Sequence, residues 1–274
     1  MTGPRAERRG SGRDDLAISK RELTERAKVV KEQFIRLRGF WVDEYDEMAI
    51  LCPDFLERLV ATGSVVKQTS TLSPLLHHLI AIALDASITH LFETGTRLHI
   101  RAALKLGASR EQLVEVIQIV SFLGIQSHLT ALPIIVDLLA EGDETRAMAS
   151  QPRSAEDEEL RQRFESHFHS WTKRHDVMLA LSGDYFPTYL EQVAVPYSSN
   201  ALTPRERALI LFAANVSITH LNETAIRESA AAALAVGCSG QDLVHVVRLA
   251  SSLGMQSCVV SFPILLDELE ACGQ

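Results

Sequence analysis

The residues best equipped for chemistry stand in two matching groups. His90, Glu93 and Arg97 are spaced i, i+3 and i+7, and His220, Glu223 and Arg227 repeat that spacing 130 positions later. On one α-helix this spacing would line the three side chains along a single face. A carboxylate beside an imidazole fixes its tautomer and favours its charged form, and an arginine offers a fixed positive charge to an anionic ligand. Together they would make a general acid/base with a carboxylate anchor. His90, Glu93, His220 and Glu223 are therefore candidate catalytic residues, and Arg97 and Arg227 candidate substrate-binding residues. The bland alternative is a buried ion-pair network that joins two structural units and serves no ligand.

Two more histidines break the match. At the same offset His99 becomes Ser229 and His128 becomes Cys258, so the first copy carries more titratable groups. One asymmetric site, or one active and one relict site, fits this better than two equal sites. His99 and His128 join the catalytic candidates, and Gln126 is taken as substrate-binding. His90, Glu93, His99 and His128 also allow a metal reading, but no metal and no organic cofactor is assigned. His77 and His78 read as a partly exposed helix surface, because the second copy has Arg207 and Ala208 there.

The elements that must position these residues come from a repeat. Beyond the shared Ser-Ile-Thr-His-Leu segment, an ungapped offset of 130 pairs Phe34 with Phe164, Trp41 with Trp171, Pro74 with Pro204, Gly107 with Gly237, Gly124 with Gly254 and Pro133 with Pro263. The chain reads as a tail over 1–19, a first repeat over 20–142, a polar linker over 143–156 and a second repeat over 157–274. Strand signals are nearly absent and helix signals abundant. Ser73-Pro74, Ser109 with Gln112, and Thr203-Pro204 with Glu206 read as helix starts, and Gly107 and Gly237 as helix stops. Each copy should hold two leading helices, about 20–42 and 44–63 in the first, then three more at about 73–106, 109–123 and 126–140. The expected fold is all-α, a duplicated bundle packed about a pseudo-twofold axis.

Composition narrows the partners. With 27 Lys plus Arg against 35 Asp plus Glu and a net charge of −8, the 274-residue chain is a poor general binder of phosphate backbones, and no nucleic-acid partner is expected. The basic tail residues Arg5, Arg8, Arg9 and Arg13 read as a solvated end. No window approaches the roughly 20 apolar residues of a membrane-spanning helix, so no membrane partner is expected. Cys52, Cys238, Cys258 and Cys272 form no C-x-x-C pair, and with no signal-peptide core at the start the protein is expected in a reducing cytoplasm.

The run His99-Ile-Arg-Ala-Ala-Leu-x-x-Gly107-Ala-Ser109-x-Glu111-x-x-x-Glu115-Val116, then Ser121-x-x-Gly124, resembles the carboxymuconolactone decarboxylase family over about residues 70–140, and more weakly over 200–270. The resemblance implies an alkylhydroperoxidase-like helical bundle. It implies either a cofactor-free decarboxylase of aromatic catabolism or a disulfide reductase that uses C-x-x-C followed by a histidine. In one register His99 is the family histidine and the two cysteine positions fall on Phe92 and Gly95. In the other they fall on His90 and Glu93, with Arg97 at the histidine. Neither supplies a thiol, so the redox branch is set aside. The family's usual glutamate after Pro74 is replaced by His78 or Ile80.

The combined expectation is a cofactor-independent lyase, of decarboxylase or isomerase type, acting on a small anionic cyclic compound or lactone such as an aromatic ring-cleavage product. The alternatives are a non-catalytic binding or scaffold protein of the same fold, and a metal-dependent enzyme using the His/Glu cluster. The resemblance also implies a homo-oligomer, a trimer of duplicated chains.

Overall fold

The structure is a computed structural model that describes residues 22–273, so the basic tail lies outside the described residues. Among those residues every regular element is helical. In chain order they are α1 (Glu25–Arg38), α2 (Tyr45–Leu51), α3 (Pro53–Gln68), α4 (Pro74–Asp85), α5 (Glu93–Lys105), α6 (Arg110–Ser121) and α7 (Gln126–Leu138), then α8 (Glu144–Ala149) in the linker. The second repeat supplies α9 (Ala155–Phe168), α10 (Lys173–Leu181), α11 (Tyr185–Ser199), α12 (Pro204–Val216), α13 (Glu223–Ala235), α14 (Gly240–Ser251) and α15 (Gln256–Ala271). A 3-10 turn joins α6 to α7 and another joins α14 to α15.

The local sequence explains the boundaries. Ser109 and Gln112 form a reciprocal capping box at α6, Thr203 and Glu206 form one at α12, and Pro74 and Pro204 occupy the first helical turn. Gly107 and Gly237 end α5 and α13 at φ 89° and 88°, a left-handed conformation that costs a residue with a Cβ. The single helix expected over 73–106 is instead two helices, α4 and α5. Between them Ser87 accepts backbone bonds from His90 and Leu91, its hydroxyl bonds Thr89 at 3.0 Å, and Leu91 turns to φ 51°. Short hydroxylated side chains compete with the helical ladder, and Ser217, Thr219 and Leu221 repeat the same break.

The chain forms two compact units that do not coincide with the sequence repeats. Among the described residues, one holds 22–62 together with 256–273; the other runs from Gly63 to Met255. In the first, α2 packs against α1 and α15, and Trp41 meets Phe34 and Tyr45 edge to face, with Phe34 and Tyr45 tilted against each other. In the second, one apolar core runs from Leu72 to Leu253, with α4 against α5 and α12, and α12 against α6, α13 and α14. The pseudo-twofold relation is visible inside this unit, where Thr89 and Thr219, equivalent residues of the two repeats, hydrogen-bond to each other at 3.0 Å. The ring of Trp171 sits on Phe164 and donates to Asp176 as Trp41 donates to Asp46, so the leading helices are duplicated too.

Contrary to the expectation from windowed composition, two helical stretches, 110–138 and 240–271, are long and apolar enough to cross a membrane. Both are α-helix, 3-10 turn and α-helix in succession, and each carries a proline, Pro133 or Pro263. In the first, Val116, Ile119 and Val120 are spent on the protein core.

Candidate active site and a cavity shared by the repeats

Asp85 closes α4 and His78 lies seven residues earlier, two turns up the same face. His99 comes across from α5. His78 Nδ1 and His99 Nδ1 are 2.9 Å apart, so one ring donates and the other accepts according to tautomer, and His99 Nε2 is 3.9 Å from Asp85 Oδ2. The Asp85 side chain is 2% exposed and that of His99 19%. Gly95, one turn before His99, makes room for this line: a Cβ there would overlap the Asp85 carboxylate and approach Phe92 to 2.7 Å. A buried carboxylate, two linked imidazoles and a partly open edge can hold one proton, offset its charge and pass it on.

The other residues singled out by spacing lie elsewhere. His90 is in the turn between α4 and α5, 6.0 Å from the ring of Phe92, and helix α5 begins only at Glu93, so His90, Glu93 and Arg97 do not share a helical face. Glu93 and Arg97 pair with each other on the surface, with side chains 76% and 65% exposed, and Glu223 and Arg227 do the same. His220 lies in the matching turn, with Nε2 buried and without a partner, and burial lowers its pKa. His128 stacks on Tyr185 at 4.8 Å. The four residues of the metal reading therefore do not meet, and among the described residues no three His, Cys, Asp or Glu side chains group as metal ligands. His78, expected only as helix surface, is partly exposed but engaged with His99.

The repeat carries different chemistry at equivalent places. His78, Asp85 and His99 correspond to Ala208, Asn215 and Ser229, so the proton-holding line has no counterpart in the second repeat. His77 and His245, with rings 5.9 Å apart, correspond to Arg207 and Glu115, which form a buried ion pair. Glu115 also accepts from the Leu202 backbone, and the Arg207 guanidinium lies 5.0 Å from the Tyr197 ring.

Gln126 belongs to a cavity of about 70 Å3 shared with the second repeat, lined also by Phe164, Phe168, His175, Asn215 and Glu228. Glu228 bonds Arg174 at 2.5 Å. His175 accepts the Thr172 N–H at Nδ1, and burial pushes its pKa down to about 4, so the ring is neutral at pH 7. A neighbouring cavity of about 150 Å3, reached by Arg207 and Tyr197, shares Phe168, Leu211, Ser229 and Ala232 with it.

Asp85 and His78 escaped sequence reasoning, although a signal was present. An aspartate seven residues after a histidine inside LLHHLIAIALD is an acid in an otherwise apolar run, and buried carboxylates are rare unless paired.

Helical units used twice, with a His-His-Asp line on one repeat only, define an all-α, tandem-duplicated protein of alkylhydroperoxidase-like fold. Residues 53–134 match the model of the Carboxymuconolactone decarboxylase family. It is also similar to a solved structure from Burkholderia xenovorans, provisionally described as a gamma-carboxymuconolactone decarboxylase subunit. The two are 26% identical with a TM-score of 0.84, over 90% of this chain and 98% of that one. No curated protein matches the sequence. Family and neighbour together support a lyase-type function in general.

Proposed function

We propose that this protein is a cofactor-independent lyase, of decarboxylase or isomerase type, acting on a small anionic cyclic acid or lactone such as an aromatic ring-cleavage product. The observation that carries the reading is the line from Asp85 through His99 to His78. Loss of carbon dioxide from an unsaturated lactone acid breaks a carbon–carbon bond and sends its electron pair into the conjugated carbonyl; the His78–His99 pair then returns a proton to carbon. Asp85 compensates the charge of the protonated pair, and solvent at the open edge reloads it. A second reading, a non-catalytic binding role, is favoured for the second repeat alone, where Asn215, Ser229 and Ala208 leave nothing at these positions to move a proton.

The test is turnover of muconolactone-type acids by the purified chain. His99→Gln and His78→Gln each lower kcat by about 10²–10⁴ with the helical circular dichroism intact, and Asp85→Asn lowers it by about 10². His90→Ala and Arg97→Ala stay within about twofold, as expected for groups outside the acid/base step. Absence of turnover by the wild type, or full activity in His99→Gln, overturns the reading. Self-association belongs to it as well: Val114, Ile117, Ile134 and Leu138 leave 44 to 81% of their surface exposed along α6 and α7, apolar area of the kind that subunits cover. Light scattering should find a homo-oligomer, with three duplicated chains expected.

A further inference from the structure

The 70 Å3 cavity is not used by the reaction above, and its polar atoms are unbalanced in one direction. Among the described residues lining it, the buried side-chain atoms left without a partner are Asn215 Oδ1, Glu228 Oε1 and Gln126 Oε1, and all three are acceptors. Asn215 is 3% exposed, and its orientation is settled by its own amide, since Nδ2 donates to the Leu211 carbonyl at 3.1 Å and the flipped form would set oxygen against oxygen. Ser229 has already donated its hydroxyl proton to the Ala225 carbonyl at 2.7 Å. The charge of Glu228 is answered by Arg174 on its other oxygen.

A carboxylate, which brings only acceptors, would leave these oxygens unpaired and add repulsion. A ligand that brings a hydroxyl proton would satisfy one of them. The remaining wall is apolar and aromatic, with Phe122, Phe164, Phe168 and Leu211 prominent, and about 70 Å3 holds roughly five to seven water-sized groups. We propose that this cavity binds a small uncharged aromatic alcohol of the phenol class, its ring against Phe164 and Phe168 and its O–H donated to Asn215 Oδ1. The duplicated chain then carries two unlike sites, an acid/base line on the first repeat and a neutral-ligand site built mainly by the second.

The experiment titrates the full chain with phenol and with fluorobenzene, a near-isostere without the donor, by calorimetry or ligand-detected NMR. Phenol should bind about tenfold tighter than fluorobenzene. Asn215→Leu should erase that preference, and Phe168→Trp, which fills the cavity, should abolish phenol binding even if the leucine variant fails to fold. His99→Gln should leave the preference unchanged, so this site can stand if the lyase reading falls. No saturable phenol binding, equal affinity for the two probes, a preference that survives Asn215→Leu, or one lost in folded His99→Gln would each overturn the proposal.

Discussion

Glu115 and Arg207 show how much a single position can differ inside a repeated frame. Their side chains are 1% and 7% exposed, and each is the main partner of the other's charge, while the equivalent pair, His77 of the first repeat and His245 of the second, is two histidines. Removing one member of such a pair strands a buried charge, so Glu115→Ala should cost about 3–5 kcal/mol in a urea melt. The double change to Glu115→Leu and Arg207→Met should recover much of that loss, whereas Glu93→Ala, which breaks a surface pair, should cost less than about 1 kcal/mol. Gly95 makes the same point sterically. Gly95→Ala pushes a methyl into the Asp85 carboxylate, and the expected result is a folded protein with a displaced Asp85 and at least a tenfold loss of turnover.

At the scale of elements, the capping residues were readable because a cap is a local bargain between one side chain and the next turn's amides. Ser73, Ser109, Thr203 and both terminal glycines fall where their types and neighbours predict. The break between α4 and α5 was not readable, because LDASITHLFE keeps apolar spacing through the turn and the signal that ends the helix, backbone bonds onto Ser87, appears only once the turn exists. That break takes His90 off the face of α5. It also leaves Leu91 and Leu221 at φ 51° and 41°, more than half exposed. Left-handed backbone costs a residue with a Cβ about 1 kcal/mol, and the exposed leucine returns little by packing. Leu221→Gly should raise stability by up to about 1 kcal/mol, read as a higher denaturant midpoint with an unchanged slope.

Across the whole molecule the repeats share a frame and differ in titratable content, which sets the acid limb of stability. Burial depresses His175 to about 4, so between that value and the ordinary 6.5 the unfolded chain binds the proton that the folded chain refuses. Stability from this group is complete above pH 6.5 and is lost as pH falls toward 4, up to about 3 kcal/mol. His175→Gln keeps an acceptor for the Thr172 amide and cannot be protonated, so its stability profile should be shallower over that window. Burial lowers His220 and His245 in the same sense, so part of the slope remains. At lower pH, Asp242 adds a second loss: burial alone would raise its carboxyl, but donors from Arg205, Ser239 and Thr71 hold it well below the usual range, and its contribution goes as pH drops beneath about 4.

The sequence by itself determined the all-α class, the duplication at an offset of 130, the helix caps, and the loss of acid/base groups from the second repeat, because each is written in residue identity or short-range spacing. Only the tertiary structure decided which groups meet. His78 and His99 are 21 residues apart on different helices, and Arg207 and Glu115 are 92 apart in different repeats. Such pairings depend on how α5 crosses α4 and how α12 lies on α6, and helix crossings are set by the packing of many side chains at once, which no local spacing records.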